Sequence, residues 1–269
     1  MKTNVLLAVA ALTLALSACE KIGSEETLTP TVPELTLAEQ AKKYADEHTT
    51  IQGPVPLVVN ALPKSVKVTL GPFISSYSFG YDSQNQWISI VDDQIGSSGF
   101  SITYDPVARK ATGGNISFQL NQEGLAESGV GFFVNGKVAN NQYFYKNGYL
   151  VSMADSKNLT KMKYSSNGDL LEWSGVTHRG DKTQNVYEYT EYPNTIRQEI
   201  LGWATPQFSF RGDFLGKYSS RLLKKAVINE NNGMNISMEF TYSFDSNGRV
   251  SRMQIKRNDD QDVQYEYSY

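Results

Sequence analysis

The chain has 269 residues, 25 basic and 28 acidic side chains, and a formal net charge of −3. That near balance, without any basic stripe, argues against a nucleic-acid or anionic-surface partner held by charge. A single cysteine excludes an internal disulfide, so stability must come from core burial, and 16 tyrosines within 12% aromatic residues favour β structure with a broad aromatic face.

Lys2 opens the chain with a positive charge, and residues 5–16 form an apolar run of about a dozen residues, short of the roughly 20 that span a bilayer. The run closes on Leu16-Ser17-Ala18-Cys19. This segment resembles the lipobox of bacterial lipoproteins, which implies cleavage before Cys19 and a lipid on its thiol. Each buried methylene of such a lipid contributes about 0.8 kcal/mol, so three chains anchor firmly. Residues 1–18 are read as a lipoprotein signal peptide and residues 19–34, with Pro30 and Pro33, as a lipidated flexible tether. Glu20 is not the aspartate that retains lipoproteins at the inner membrane, and Ser24-Glu25-Glu26 resembles the surface-export signal of Bacteroidota lipoproteins. The expected address is the outer membrane, with the leaflet left open.

Residues 35–269 read as one β-rich domain with a helix at its start. Thr36 and Glu39 make a capping box, and Leu37, Ala41, Tyr44 and Ala45 share a face. The spacing predicts a helix over 36–48, ending at His48 and packing over an edge or face of a sheet.

From about residue 55 the apolar period changes to two. Tyr77, Phe79 and Tyr81 alternate with small residues, as do Ile116, Phe118 and Leu120. Phe240, Tyr242 and Phe244 repeat the pattern, and so do Tyr265, Tyr267 and Tyr269. Side chains two apart share a strand face, so each segment predicts an antiparallel strand with one buried face. Asn-Gly pairs at 135–136, 147–148, 167–168, 232–233 and 247–248 punctuate these runs and predict type I′ hairpins.

The turns fall in a recurring frame: an aromatic, a polar turn, an apolar residue at +6 and another at +9. Phe244-Asp245-Ser246-Asn247-Gly248-Arg249-Val250 with Met253 is one copy, and Tyr164 through Leu170 with Trp173 is another. Tyr81 through Trp87 with Ile90 is a third, and Tyr145 through Leu150 with Met153 lacks one turn residue. Tyr192-Pro193-Asn194-Thr195-Ile196 reads as a still shorter copy. These units resemble the YD repeats of Rhs-type proteins. The stretch from Leu215 to Lys225, taken with Tyr242 to Val250, is similar to a β-rich Bacteroidota lipoprotein domain of unknown function. The resemblance covers roughly residues 60–269 and implies an all-β lipoprotein without catalytic residues to carry over. The predicted fold is all-β: antiparallel hairpin repeats forming a curved sheet or open barrel, with one short N-terminal helix.

Chemistry-bearing motifs are scarce. No G-x-S-x-G, P-loop or H-E-x-x-H motif occurs. His48 belongs to the helix end, and His178 lies in a polar stretch before Gly180-Asp181. The acidic clusters Asp92-Asp93 and Asp259-Asp260-Asp262 read as solvated hairpin tips; paired carboxylates there would be the alternative, for glycosidase work. Trp87 and Trp173 fall on core positions. Trp203, in Leu201-Gly202-Trp203-Ala204-Thr205-Pro206, is the candidate ligand contact. No metal, cofactor or catalytic residue is assigned. The expected function is a non-catalytic binding or scaffold module on a lipid anchor, its ligand a glycan, a peptide or a partner protein. A structural role in envelope assembly and a carboxylate glycan hydrolase are the alternatives.

Overall fold

The capping box forms as its spacing predicts. In a computed structural model of the protein, α1 spans Leu37–Glu47, the Glu39 amide donates to Thr36 Oγ1 at 3.2 Å, and the Thr36 amide donates to the Glu39 carboxylate at 2.8 Å. The structure describes residues 34–53, 61–81, 83, 85, 87–92, 103–105, 107–113, 116–134, 137–177, 179–199, 213–230, 233 and 235–269. Cys19, Asp93, His178 and Trp203 lie outside the described residues.

Sixteen strands follow. They are β1 (Ser65–Leu70), β2 (Phe73–Tyr81), β3 (Trp87–Asp92), β4 (Thr103–Asp105), β5 (Lys110–Gly113) and β6 (Ile116–Leu120). Then come β7 (Ala126–Val134), β8 (Lys137–Lys146), β9 (Tyr149–Ala154), β10 (Asn158–Tyr164) and β11 (Leu170–Thr177). The last are β12 (Lys182–Pro193), β13 (Arg221–Glu230), β14 (Asn235–Phe244), β15 (Val250–Arg257) and β16 (Val263–Ser268). They form one antiparallel sheet in the order β3-β2-β1-β16-β15 and so on down to β4. The first strand therefore pairs with the last, Ser65 opposite Ser268, and the two edges are consecutive strands, β3 and β4. This is the order of an up-and-down barrel left open at one seam.

One face carries the apolar stripe. Val66 and Val68 stand opposite Tyr267 and Tyr265, Val66 also faces Tyr77, and Met253 lies between Tyr265 and Tyr242. These side chains join Phe118, Met162, Trp173 and Leu222 in a single cluster, so the sheet curls around one core. The other face is charged. Glu188, Lys225, Glu239 and Lys256 are successive partners across four strands. Arg252 and Lys67 flank Glu266 at 3.3 and 4.0 Å. Helix α1 covers part of this outer face, where Leu37 and Ala41 meet Phe144, Ala154 and Leu159 and Ser152 Oγ donates to the Ala41 carbonyl at 2.7 Å.

Two local devices recur. Four hairpins share one turn, in which the first residue pairs with the fifth through an amide-to-carbonyl bond: Asn121 with Leu125, Ser165 with Asp169, Thr177 with Asp181, and Asp245 with Arg249. The side chain of the first residue accepts from the fifth amide, and the fourth residue is a glycine with φ between 76° and 83°. Asn167 and Asn247 therefore sit one place before the left-handed residue, and these are three-residue loops with a glycine bulge, not the predicted type I′ turns. Only at Asn147-Gly148 are both residues described and both left-handed, with φ 52° and 80°. The second device is a tyrosine latch. Tyr189, Tyr242 and Tyr269 each donate to a carbonyl 19 residues earlier, on Leu170, Leu223 and Val250, closing the β11–β12, β13–β14 and β15–β16 pairs.

Two predictions fail locally. Phe244, opposite Val250 past the β14–β15 bulge, is not buried with the rest of its stripe: it is 38% exposed and packs on Tyr192 with ring centroids 4.9 Å apart. The segment Tyr192 to Ile196 is no hairpin. It opens the connection between β12 and β13, whose described residues, 194–199 and 213–220, form a strap that packs Ile196, Phe214 and Leu215 into the core on the inner face.

Candidate functional site

The strap is fixed by buried polar partners instead of a ladder. Asn194 donates through Nδ2 to the carbonyls of Gln198 and Ser219 at 3.1 and 3.0 Å. Ser219 Oγ donates to Glu199 Oε1, and the Leu170 amide and Tyr189 hydroxyl meet the same Ser219 oxygen at 3.0 and 2.9 Å. Tyr267 donates to Gln198 Oε1 from β16. Burial, with the nearby Glu199 charge adding to it, pushes the Tyr189 hydroxyl well above its ordinary range. At the strap's end the fully buried Asp169 is held three times by Arg221, through Nε at 2.9 Å, Nη2 at 2.8 Å and the backbone amide at 3.1 Å, and a fourth time by Ser220 Oγ at 2.6 Å. These groups have no open cleft beside them, and their role is to hold the strap.

What the strap builds is a cleft of about 800 Å³. Arg197, Asp213, Gly216, Lys217 and Tyr218 of the strap line it. Tyr145, Asn147 and Gly148 of the β8–β9 hairpin line it beside them, with the Lys217 amide donating to the Gly148 carbonyl at 2.9 Å. Asn85 of the β2–β3 turn and Glu123 and Leu125 of the β6–β7 turn complete the described lining. Gly216 makes the junction possible: its φ is +91°, and a Cβ there would lie 2.6 Å from the Gly148 carbonyl oxygen.

The cleft collects unusual backbone. Five non-glycine residues among those described have positive φ, and three of them, Asn85 (59°), Asn147 (52°) and Arg197 (49°), line this one site. Asparagine tolerates that region, but arginine pays strain of order 1–3 kcal/mol there and persists only when its surroundings demand it. The demand is visible. Arg197 Nη1 donates to the Asn85 carbonyl at 2.8 Å and reaches Asp213 Oδ2 at 3.3 Å, tying the β2–β3 turn to both described parts of the strap. Lys217 Nζ lies 5.5 Å from the centre of the Tyr149 ring, and Asn147 Oδ1 accepts from the Ile51 amide at 3.1 Å. Strained backbone that holds polar groups at a cleft wall is the mark of a functional site.

The residues singled out from sequence lie elsewhere. His48 caps α1, its Nδ1 2.9 Å from the Thr49 carbonyl oxygen and its ring edge-on to Tyr44. Asp259 is paired by Arg257 at 2.6 Å at a hairpin tip, which holds its carboxyl below the usual range, and Asp262 accepts from the Arg257 amide. Asp92 stands opposite Tyr77 in the ladder. Trp173 is buried opposite Met162, in the core as expected. Of the cleft residues, Asn147 carried a turn signal, and Gly216, Lys217 and Tyr218 lie in the stretch similar to the Bacteroidota domain. Arg197 and Asp213 had no signal, because their partners are distant in sequence.

No protein-family model matches the chain, and no curated protein does. Solved structures do. A porin-like protein from Bacteroides vulgatus ATCC 8482 superposes with a TM-score of 0.54 at 16% identity, covering 77% of this chain and 98% of that one. A porin-like protein from Bacteroides uniformis ATCC 8492 gives 0.53 at 13% identity, covering 77% and 99%. At such identity the likeness is one of fold, and it places this chain's all-β architecture beside β-rich proteins of Bacteroides.

Proposed function

We propose that the protein is a lipid-anchored outer-membrane module that binds its ligand through the strap cleft and does no chemistry on it. The cleft carries the reading, because strained backbone there positions a guanidinium, amides and carboxylates at one wall. The lipobox-like run ending at Cys19 supports the anchor, and the porin-like fold of the Bacteroides neighbours is in keeping with an envelope setting. The sheet's polarity sets the mode of attachment. A barrel that spans a membrane is apolar outside, and a Lys or Arg on its lipid face is destabilising by about 2–4 kcal/mol at the midplane. Here the outer face bears the row Glu188, Lys225, Glu239 and Lys256, and the inner face is packed with side chains and strap. Such a sheet belongs in water, with the lipid as its only attachment.

Glu123 and Asp213 both line the cleft, so the hydrolase alternative has a concrete form. Asp213 is engaged by Arg197, an arrangement that suits holding better than proton transfer. Two assays test the proposal. Metabolic labelling with a palmitate analogue should mark wild type and not Cys19→Ala, with wild type alone in the outer-membrane fraction. Bound ligand should be recovered intact after long incubation. A soluble, unlabelled wild-type protein would overturn the anchor, and a cleaved ligand would overturn the non-catalytic role.

A further inference from the structure

We propose that the cleft takes an uncharged oligosaccharide; the inference rests on the reading of the cleft as the binding site. Charge is the first reason. Arg197 and Lys217 are balanced by Glu123 and Asp213, with Arg197 already paired to Asp213 at 3.3 Å and Lys217 set over the Tyr149 ring. A ligand with net charge of either sign would gain no field and would meet a like charge.

The groups themselves are the second reason. Vicinal hydroxyls each donate and accept, and they match planar side chains that offer two polar atoms side by side. Asn85, Asn147, Arg197, Asp213 and Glu123 are all of that kind. Tyr145 and Tyr218 add half-buried aromatic rings, whose faces suit the apolar faces of sugar rings. Leu125 is the one aliphatic side chain among the described lining residues, too little for an acyl chain or for the apolar anchors of a peptide.

Length is the third reason. A second recess of about 840 Å³, lined by residues 121–123, 125–128 and 142–145, shares Glu123, Leu125 and Tyr145 with the first. Each is the size of a small-molecule site, and the shared residues put the two side by side, which suits a ligand of several sugar rings.

The test uses the full acylated protein in detergent micelles on a printed array of neutral oligosaccharides, uronic-acid oligosaccharides and short uncharged peptides, with calorimetry on any hit. Four proteins are compared: wild type, Glu123→Ala, Tyr218→Ala and Tyr192→Ala. Glu123 is exposed on a hairpin turn, so its variant keeps the fold if Tyr218→Ala does not. Tyr192 belongs to the exposed Tyr192–Phe244 aromatic pair and lines neither recess. A neutral oligosaccharide should bind, at least tenfold more weakly to Glu123→Ala and Tyr218→Ala and unchanged to Tyr192→Ala. Preferred binding of uronic-acid oligosaccharides or peptides, with the same sensitivity to Glu123→Ala, would overturn the ligand class and leave the cleft standing as the site. Sugar binding indifferent to the cleft variants, or lost in Tyr192→Ala, would overturn the cleft. An array with no retained ligand would overturn both.

Discussion

The hairpin series and the strap are built on different principles. Each hairpin from β10 to β16 that carries a glycine-bulge turn or a tyrosine latch closes on residues within about twenty positions of one another. The strap has short bonds such as Asn194 to the Gln198 carbonyl, but its placement is closed at a distance. The bonds that fix it run from Tyr267 to Gln198, from Arg221 to Asp169 and from Arg197 to Asn85, over 69, 52 and 112 residues. Local closure makes a scaffold that tolerates variation one hairpin at a time. Distant closure makes one segment whose position depends on the whole sheet, and that segment supplies most of the cleft. Rigid elements with short-range rules present an irregular connection that carries the site.

The sharpest way to break this contrast is to attack both ends of the strap. Asp169→Ala leaves Arg221 without its buried partner and strips four bonds from a fully buried position. It should cost about 3 kcal/mol, the low end for breaking a buried pair because Arg221 is 35% exposed, read as a fall in the urea midpoint. Gly216→Ala should follow at about 2–4 kcal/mol, since the left-handed φ and the clash with the Gly148 carbonyl oxygen add. It should also abolish ligand binding, which Asp169→Ala at low temperature should only weaken. In the hairpins the same substitution should be mild: Gly248→Ala meets nothing within 4 Å and should cost about 1 kcal/mol from φ alone. Equal losses at Gly216 and Gly248 would erase the distinction. The smallest effect is expected for Tyr242→Phe, about 1 kcal/mol for one latch bond to the Leu223 carbonyl.

High pH should act on both regions at once. Burial holds Tyr189, Tyr242 and Tyr267 well above the ordinary tyrosine range, and it pushes Tyr269 up to about 12. These hydroxyls favour the protonated form in the folded state. The stability they give is therefore complete below about pH 10, the value for a free tyrosine, and is lost as pH rises towards 12. Tyrosinate absorbance and circular dichroism should change together in that window. Ionisation of all tyrosines near pH 10 with the fold intact would show that the latches are not buried.

Much of the hairpin series was legible in the sequence because its rules are short-ranged. Period-two stripes marked Tyr77, Phe118, Phe240 and Tyr265, all of which face the core, and Thr36 with Glu39 marked the helix start. The turn type was misread where Asn-Gly sits inside a longer loop, since the dipeptide alone does not say which residue becomes left-handed. Phe244 keeps the stripe's spacing yet is 38% exposed, because at the end of its hairpin it packs on the exposed Tyr192 instead of the core. The site was nearly silent. Arg197 is an ordinary arginine in a polar segment, and only the meeting of the strap with the β2–β3 and β8–β9 turns makes it a cleft residue. No periodicity reports a contact across 112 positions, the separation of Arg197 from Asn85.

The proposal of a water-facing module on a tether rests on the polarity of the sheet's outer row. Full-length protein with Cys19→Ser, which cannot be acylated, should be purified without detergent, partitioned between aqueous and detergent phases, and added to a planar lipid bilayer. Partition into the aqueous phase with no conductance is expected from the charged outer row and the filled interior. Recovery in the detergent phase with stable channel currents would contradict it, and with it the placement of the cleft in water.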